Sequence, residues 1–323
     1  MVKQKKEHDI MESRRHRAQS ATKIKNRSKQ NKTKHSVLKK LVLLVLIIIM
    51  VIIGLLTKVY YDVKKVANKS YQPITRQTTA QLPNLKDKSP VTFLFMGLNG
   101  KEANDILVLT MNPKQNKTTV INLNRDIFLA SEGTTLKALY ASKGVSGEID
   151  AVQTLLGTKI SRYMTFDLVG LGDFVEAVGG INVQNTIHFN SDGFEFKPGT
   201  LNLKKSDEVK AYLNKIGDDT INAEDMLIER EQSVLIAVVP KMKSVNTVLK
   251  YKTFLNAFGN HVKTDFLFDN LKQLGISYNG VLGNISKQNV KTIKVTIDGQ
   301  NRNMLSEEQV KKAHDKLEAA LIE

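Results

Sequence analysis

The side chains of this chain that could do chemistry are few, and they are charged residues set at the ends of apolar segments. Asp105 stands immediately before the run ILVLT, and Arg125 and Asp126 stand immediately after the run TTVINLN. If both runs are strands, the three residues collect at a sheet edge, where strand ends and loops commonly carry function. Further along, Arg230 and Glu231 lie in the segment EREQ, inside a region with helical spacing. Leu227, Val234, Leu235 and Val238 define the apolar stripe of that helix, and Glu231 falls within it. A carboxylate on a core-facing stripe requires a cation, and Arg125 is the candidate. Two readings stay open on these residues alone: a buried salt bridge stapling helix to sheet, or a polar site at the sheet edge.

The common catalytic signatures are absent: there is no P-loop, no HExxH, no GxSxG elbow and no Gly-rich dinucleotide turn. Of six histidines, His8, His16 and His35 lie near the N-terminus and His188, His261 and His314 are scattered, so each reads as an ordinary surface or core histidine. Asp218, Asp219, Glu224 and Asp225 could ligate a divalent metal. They could also open a helix, with Asn222 as its cap, Asp225 at the capping-box position and the acids facing the positive end of the dipole. With no cysteine, neither disulfides nor thiolate metal sites are available.

The elements that must position these residues begin at Val91, where VTFLFMGL is a dense apolar run suited to a buried strand. ILVLTMNP and TTVINLN alternate and are joined by PKQNK, which predicts an antiparallel hairpin. LKALYASKG and EIDAVQTLLG have helical spacing, RYMTFD reads as a strand, LVGLGDFVEAVGG as a helix closed by Gly179 and Gly180, and INVQNTIHF as a strand. Residues 207–215, 222–244, 249–258, 266–274 and 306–322 are expected to be helical, and VKTIKVTI to be a strand. Strands interleaved with helices predict an α/β fold, a mixed central sheet flanked by helices on both faces.

Upstream of that domain, residues 1–40 carry 14 Lys or Arg against three acids, a net of +11. Since the whole chain is +16, only +5 belongs to the other 283 residues. The tail holds no aromatic residue to stack on bases, so it is expected to meet anionic lipid rather than nucleic acid. From residue 41 to residue 61 the chain is almost wholly apolar and about 30 Å long as a helix, enough for one membrane span. The run is longer than a signal-peptide core and lacks a small-residue cleavage site, so an uncleaved anchor is expected. The positive-inside rule then places the tail in the cytoplasm and the domain from residue 91 to 323 outside. Residues 62–90, polar and broken by Pro73, Pro83 and Pro90, read as a stalk.

In order along the chain, FLFMGL, NDILVLTMNPKQNKTTVINLNRD, LKALYASKG, TFDLVGLGDFVEAVGGINV, PGTLNL and IERE resemble the LytR-CpsA-Psr family of cell-envelope proteins. The likeness runs from about Val91 to Pro240. It implies an α/β sandwich enclosing a polyprenyl tail, and a phosphotransferase that moves an anionic glycopolymer from undecaprenyl pyrophosphate to peptidoglycan with Mg²⁺. Arg125, Asp126 and Arg230 match the family's catalytic positions. The resemblance places Arg125, Arg230 and Glu231 on the phosphate side, and Asp105 and Asp126 on the Mg²⁺. The chain departs from the family pattern at Asn99, Ala103, Asn214, Ile216, Leu227 and Glu231, mostly where arginine is usual. Active transfer therefore requires other cations at the mouth, with Lys137, Arg162 and Lys215 as candidates. The alternative is a non-catalytic paralogue that binds polyprenyl lipid or regulates envelope assembly.

Overall fold

The computed structural model describes residues 50, 57–75, 81–214, 223–241 and 251–322. The expected membrane span lies for the most part outside the described residues, as does the acidic cluster around Asp218. Among the described residues, no helix is long and apolar enough to cross a membrane. The chain divides into residues 1–62 and 63–323, and the architecture below is that of the second unit.

Its strands are β1 (Val91–Asn99), β2 (Glu102–Asn112), β3 (Lys117–Leu123), β4 (Phe128–Leu129), β5 (Thr134–Thr135), β6 (Arg162–Asp167) and β7 (Ile181–Asn185). They continue with β8 (Phe189–Ser191), β9 (Phe194–Phe196), β10 (Gly199–Leu203), β11 (Val262–Thr264), β12 (Ile285–Asn289), β13 (Ile293–Ile297) and β14 (Gln300–Met304). The helices are α1 (63–70), α2 (Leu136–Leu156), α3 (Leu171–Val178), α4 (Ser206–Tyr212), α5 (Ala223–Lys241), α6 (Tyr251–His261), α7 (Phe268–Ser277) and α8 (Glu307–Leu321).

Six strands form the main sheet in the order β11-β6-β1-β2-β3-β12. The hairpin β1–β2–β3 is antiparallel, while β6 joins β1 and β12 joins β3 in parallel, so the sheet is mixed. Alternation along β1 and β2 sends Leu94, Met96, Ile106 and Val108 to one face, where they pack with α2 and α8 and are wholly buried. Phe93, Phe95 and Leu109 point to the other face, toward α3, α5, α6 and α7. The predicted architecture, a mixed sheet with helices on both sides, is the one observed.

Four elements differ from expectation. The expected strand INVQNTIHF divides into β7, which pairs with β10, and β8, which pairs with β9. The two helical segments before residue 157 form one 21-residue element, α2, bent at Gly144, whose φ of 59° and ψ of −160° break the helical path. The expected strand at 290–297 splits: Val290 stays in the core, and Ile293–Ile297 leaves to pair with β14. The turn is Asp298-Gly299, both with positive φ, a two-residue connection suited to a hairpin. The strand that actually borders β3 is ISKQN, which has only one apolar residue and so shows no periodicity.

The segment read as a stalk lies against the domain. Ser70 is fully buried, Gln72 N donates to Thr264 O at 2.8 Å, Tyr163 Oη donates to Gln72 O at 2.6 Å, and Leu85 joins the core with Phe93 and Phe266. Polar composition here reflects backbone and side-chain hydrogen bonding to the domain surface.

Candidate active site

The site is built where β1 ends, β2 begins and α5 crosses above them. Asp105 falls inside β2, opposite Gly97 of β1, because the strand begins at Glu102, four residues before its apolar run. A Cβ at Gly97 would lie 2.7 Å from Asp105 Oδ2, so the absence of a side chain there makes the space for the carboxylate. Asp105 is 1% exposed, and neither oxygen has a hydrogen-bond partner. The Gln232 amide approaches it outside ordinary hydrogen-bond geometry. Burial pushes the Asp105 carboxyl up to about 6, while Gln232 and the charges of Lys287 and Arg125 pull the other way.

Arg125 comes from the tight loop after β3. Asn124 Oδ1 accepts from Asp126 N at 2.8 Å, and Arg125 O accepts from Lys137 N at 2.8 Å, which ties the loop to the first turn of α2. The buried guanidinium donates from Nη1 to Asn104 Oδ1 at 2.7 Å. From above, α5 brings Glu231, 5% exposed, on the stripe that also buries Val234 and Val238. Its carboxyl is raised to about 7, first by burial and next by the Asp105 charge, and is opposed by Asn104, Arg125 and Arg230. Two acids whose charges repel in a shared buried space, faced by a guanidinium, form the centre of the site.

A further cation arrives from β12. Lys287 Nζ donates to Gln232 Oε1 at 3.1 Å and carries its charge toward Asp105. Burial lowers the Lys287 pKa and the Asp105 charge opposes that shift.

Arg230 takes a different direction. Its guanidinium donates from Nη2 to Asn214 O at 3.0 Å and from Nε to Met226 O at 3.3 Å. It lies 4.8 Å from the Phe189 ring centroid and 5.6 Å from that of Tyr212. A cavity of about 120 Å³ opens beside it, lined also by Asn185, Ile187 and Ser233.

Beside the acid pair, the sheet presents an apolar surface that its helices do not fully cover. Phe95 and Leu107 are directly paired, as are Phe93 and Leu109. Phe95, Leu107 and Leu109 remain half-buried, whereas their neighbours on the α2 face are sealed. Partly covered Met164, Leu235, Phe254 and Phe258 border the same region from β6, α5 and α6.

A sequence model of the LytR_cpsA_psr family matches residues 57–319. This chain belongs to the LytR-CpsA-Psr family. It is 28% identical over 281 residues to an Enterococcus faecalis protein named polyisoprenyl-teichoic acid–peptidoglycan teichoic acid transferase TagU, covering 83% of this chain and 92% of that one. The fold is similar to the crystal structure of an Enterococcus faecalis protein described as a transcriptional regulator (TM-score 0.63, 28% identity, 74% of this chain and 90% of that chain). It is also similar to the crystal structure of Bacillus subtilis TagU (TM-score 0.55, 23% identity, 73% of this chain and 98% of that chain).

For this LytR-CpsA-Psr protein, the structure brings Asp105, Arg125 and Glu231 together, as their positions at strand end, loop and helix stripe suggested. Asp126 is half-buried, and no contact among the described residues joins its carboxylate to that cluster. Arg230 is adjacent in sequence but one helical step around α5, so its head group enters the neighbouring pocket. Of the compensating cations considered, Lys137 pairs with Glu102 at 3.1 Å, and Arg162 lies beside Phe93, at the opposite end of β1 from Gly97. Lys215 is outside the described residues. Lys287 has no signal in the sequence, since ISKQN carries no pattern that marks a strand.

Asp105 Oδ1 and Oδ2 and Glu231 Oε2 are buried and without hydrogen bonds, which fits a hard divalent cation such as Mg²⁺. Among the described residues no group of three His, Asp or Glu side chains converges, so the two carboxylates would leave most of the coordination shell to water and phosphate oxygens.

Proposed function

We propose that this domain transfers an anionic glycopolymer from a polyprenyl diphosphate carrier to peptidoglycan, at the outer face of a bacterial membrane. In this reading residues 41–61 form a single anchor, and the basic tail lies on the cytoplasmic side, as the charge asymmetry favours. The observation that carries the proposal is the buried cluster of Asp105, Arg125 and Glu231 at the rim of the half-covered apolar face of β1 and β2. A polyprenyl diphosphate needs both parts: cationic contacts for the head and apolar surface for the tail.

The transfer joins an acceptor hydroxyl oxygen to the polymer-side phosphorus and breaks the P–O–P bridge toward polyprenyl monophosphate. The hydroxyl proton passes to a carboxylate of the acid pair. Burial holds Glu231 near 7, where it can be ionised before the step and protonated after it. Arg125, fixed by Asn104 and its loop, is preorganised to hold a phosphoryl oxygen. A bound Mg²⁺ would supply charge neutralisation on the diphosphate and the departing phosphate.

The test is transfer by the full chain in vesicles carrying polyprenyl-diphosphate-linked glycopolymer, with peptidoglycan fragments as acceptor. Polymer joined to peptidoglycan with release of polyprenyl monophosphate is expected, and Arg125→Ala and Asp105→Asn should each abolish it. A second reading, a lipid-binding protein without transfer, is favoured by one observation: Arg230 is held by the Asn214 carbonyl and two aromatic rings. Binding of the carrier with no release of monophosphate would select that reading.

A further inference from the structure

The register of β12 turns Lys287 into the site. Lys287 pairs with Val120 of β3, Val120 with Leu109 of β2, and Leu109 with Phe93 of β1. Directly paired residues share a face, so Lys287 lies on the same side of the sheet as Phe93, and Gly97 and Asp105 follow on that side by alternation. Lys287 stands on the edge strand of the sheet, and its ammonium is held by Gln232, the residue after Glu231 on α5. Gln232 Oε1 is also approached by Asn122 Nδ2 at 3.5 Å, and Asn122 donates to Asn289 Oδ1 at 3.0 Å. Thus β3, α5 and β12 all help to fix the ammonium.

An ammonium has three donors, and one is used by Gln232. Two N–H groups remain for a ligand beside the acid pair. The charges of Arg125 and Lys287 act on Asp105 from different elements, one from the loop after β3 and one from the edge strand beyond it. Against two carboxylates, one guanidinium leaves the site acidic, and Lys287 restores the balance needed for an anion to enter.

We propose that Lys287 is a diphosphate-binding residue: its ammonium takes an oxygen of the phosphoryl group that Arg125 does not hold, with Gln232 as its positioning residue. This rests on the reading of the site as a polyprenyl diphosphate site. It assigns a binding role to a strand outside the segments that carry the sequence resemblance.

The experiment is calorimetric titration of the full chain in detergent micelles with farnesyl diphosphate and farnesyl monophosphate, at fixed Mg²⁺. Wild type, Lys287→Gln, Lys287→Arg and Arg125→Ala are compared, with thermal midpoints taken without ligand. Loss of one charge-assisted contact should weaken diphosphate binding about tenfold in Lys287→Gln, change monophosphate binding less than about threefold, and be largely restored in Lys287→Arg. If Lys287→Gln binds diphosphate like wild type while Arg125→Ala does not, the proposal is wrong and Lys287 is only the counter-charge of Asp105. Equal losses for both ligands, or a loss accompanied by a collapsed thermal midpoint that Lys287→Arg does not restore, would also overturn it. Failure of wild type to bind diphosphate would instead remove the reading on which it rests.

Discussion

Replacing Glu231 by Gln removes one charge from the acid pair while keeping its size, and the consequence for stability has a definite sign. Glu231 is raised from 4.5 to about 7 in the folded protein, chiefly by burial and then by Asp105. The folded state therefore holds a proton between those values that the unfolded chain has released. Stability must fall as pH rises through that window and level off above about 7. A shift of about 2.5 units corresponds to at most about 3.4 kcal/mol, an upper bound because part of it is shared with Asp105. Denaturant titrations of wild type and Glu231→Gln at pH 4.5 and pH 8 measure it. The two proteins should be nearly equal in stability at pH 4.5, and the variant should be more stable at pH 8 by about 1 to 3 kcal/mol. Adding Mg²⁺ at pH 8 should narrow the gap by stabilising wild type more than the variant, because a cation binds the folded acid pair and not the unfolded chain. A gap that is the same at both pH values, or that Mg²⁺ leaves untouched, would refute the account of Glu231 as a strained acid awaiting a cation.

Gly97→Ala should weaken diphosphate binding sharply and lower the thermal midpoint, since the new methyl would meet Asp105 Oδ2 at 2.7 Å and Leu168 Cδ2 at 3.1 Å; strain of about 1 to 3 kcal/mol is the expected scale in denaturant titration. Glu148 on α2 is fully buried, neither carboxylate oxygen has a hydrogen bond, and burial raises it to about 8. Its folded pKa lies above the unfolded one, so stability should decline from pH 4.5 to pH 8, and Glu148→Gln should flatten that decline in a pH series of melting curves. Arg230→Lys should cost about 1 to 2 kcal/mol, because a lysine gives up the planar stacking on Phe189 and Tyr212; an unchanged denaturation midpoint would contradict the packing role assigned to Arg230.

The sheet and its helices were legible because burial imposes period on sequence. β1, β2, β3, α3 and α8 each carry a run or stripe of apolar residues, and each formed close to where that pattern lies. ISKQN shows no pattern: as an edge strand held by backbone pairing to β3, it needs no apolar alternation, and nothing in its sequence marks Lys287. Likewise, the polarity of residues 62–90 suggests a stalk, although polar chain also bonds well to a domain surface, as Gln72 does to Thr264 and Tyr163.

For the site, the residue types at strand ends determined which side chains could do chemistry, and the stripe on α5 placed Glu231 inward and in need of a cation. Neighbours across the fold were beyond the reach of sequence. That Gly97 leaves room for Asp105 follows from the pairing of β1 with β2, and that Arg230 departs from Glu231 follows from the turn of a helix against Phe189 and Tyr212. Asp105 is raised only once packing buries it, and Glu231 once it is buried beside the Asp105 charge. Local pattern is written by what each segment must bury or expose; the meeting of charges from β2, the loop after β3, α5 and β12 is decided by packing, because desolvation and Coulomb energy depend on three-dimensional distance and not on position along the chain.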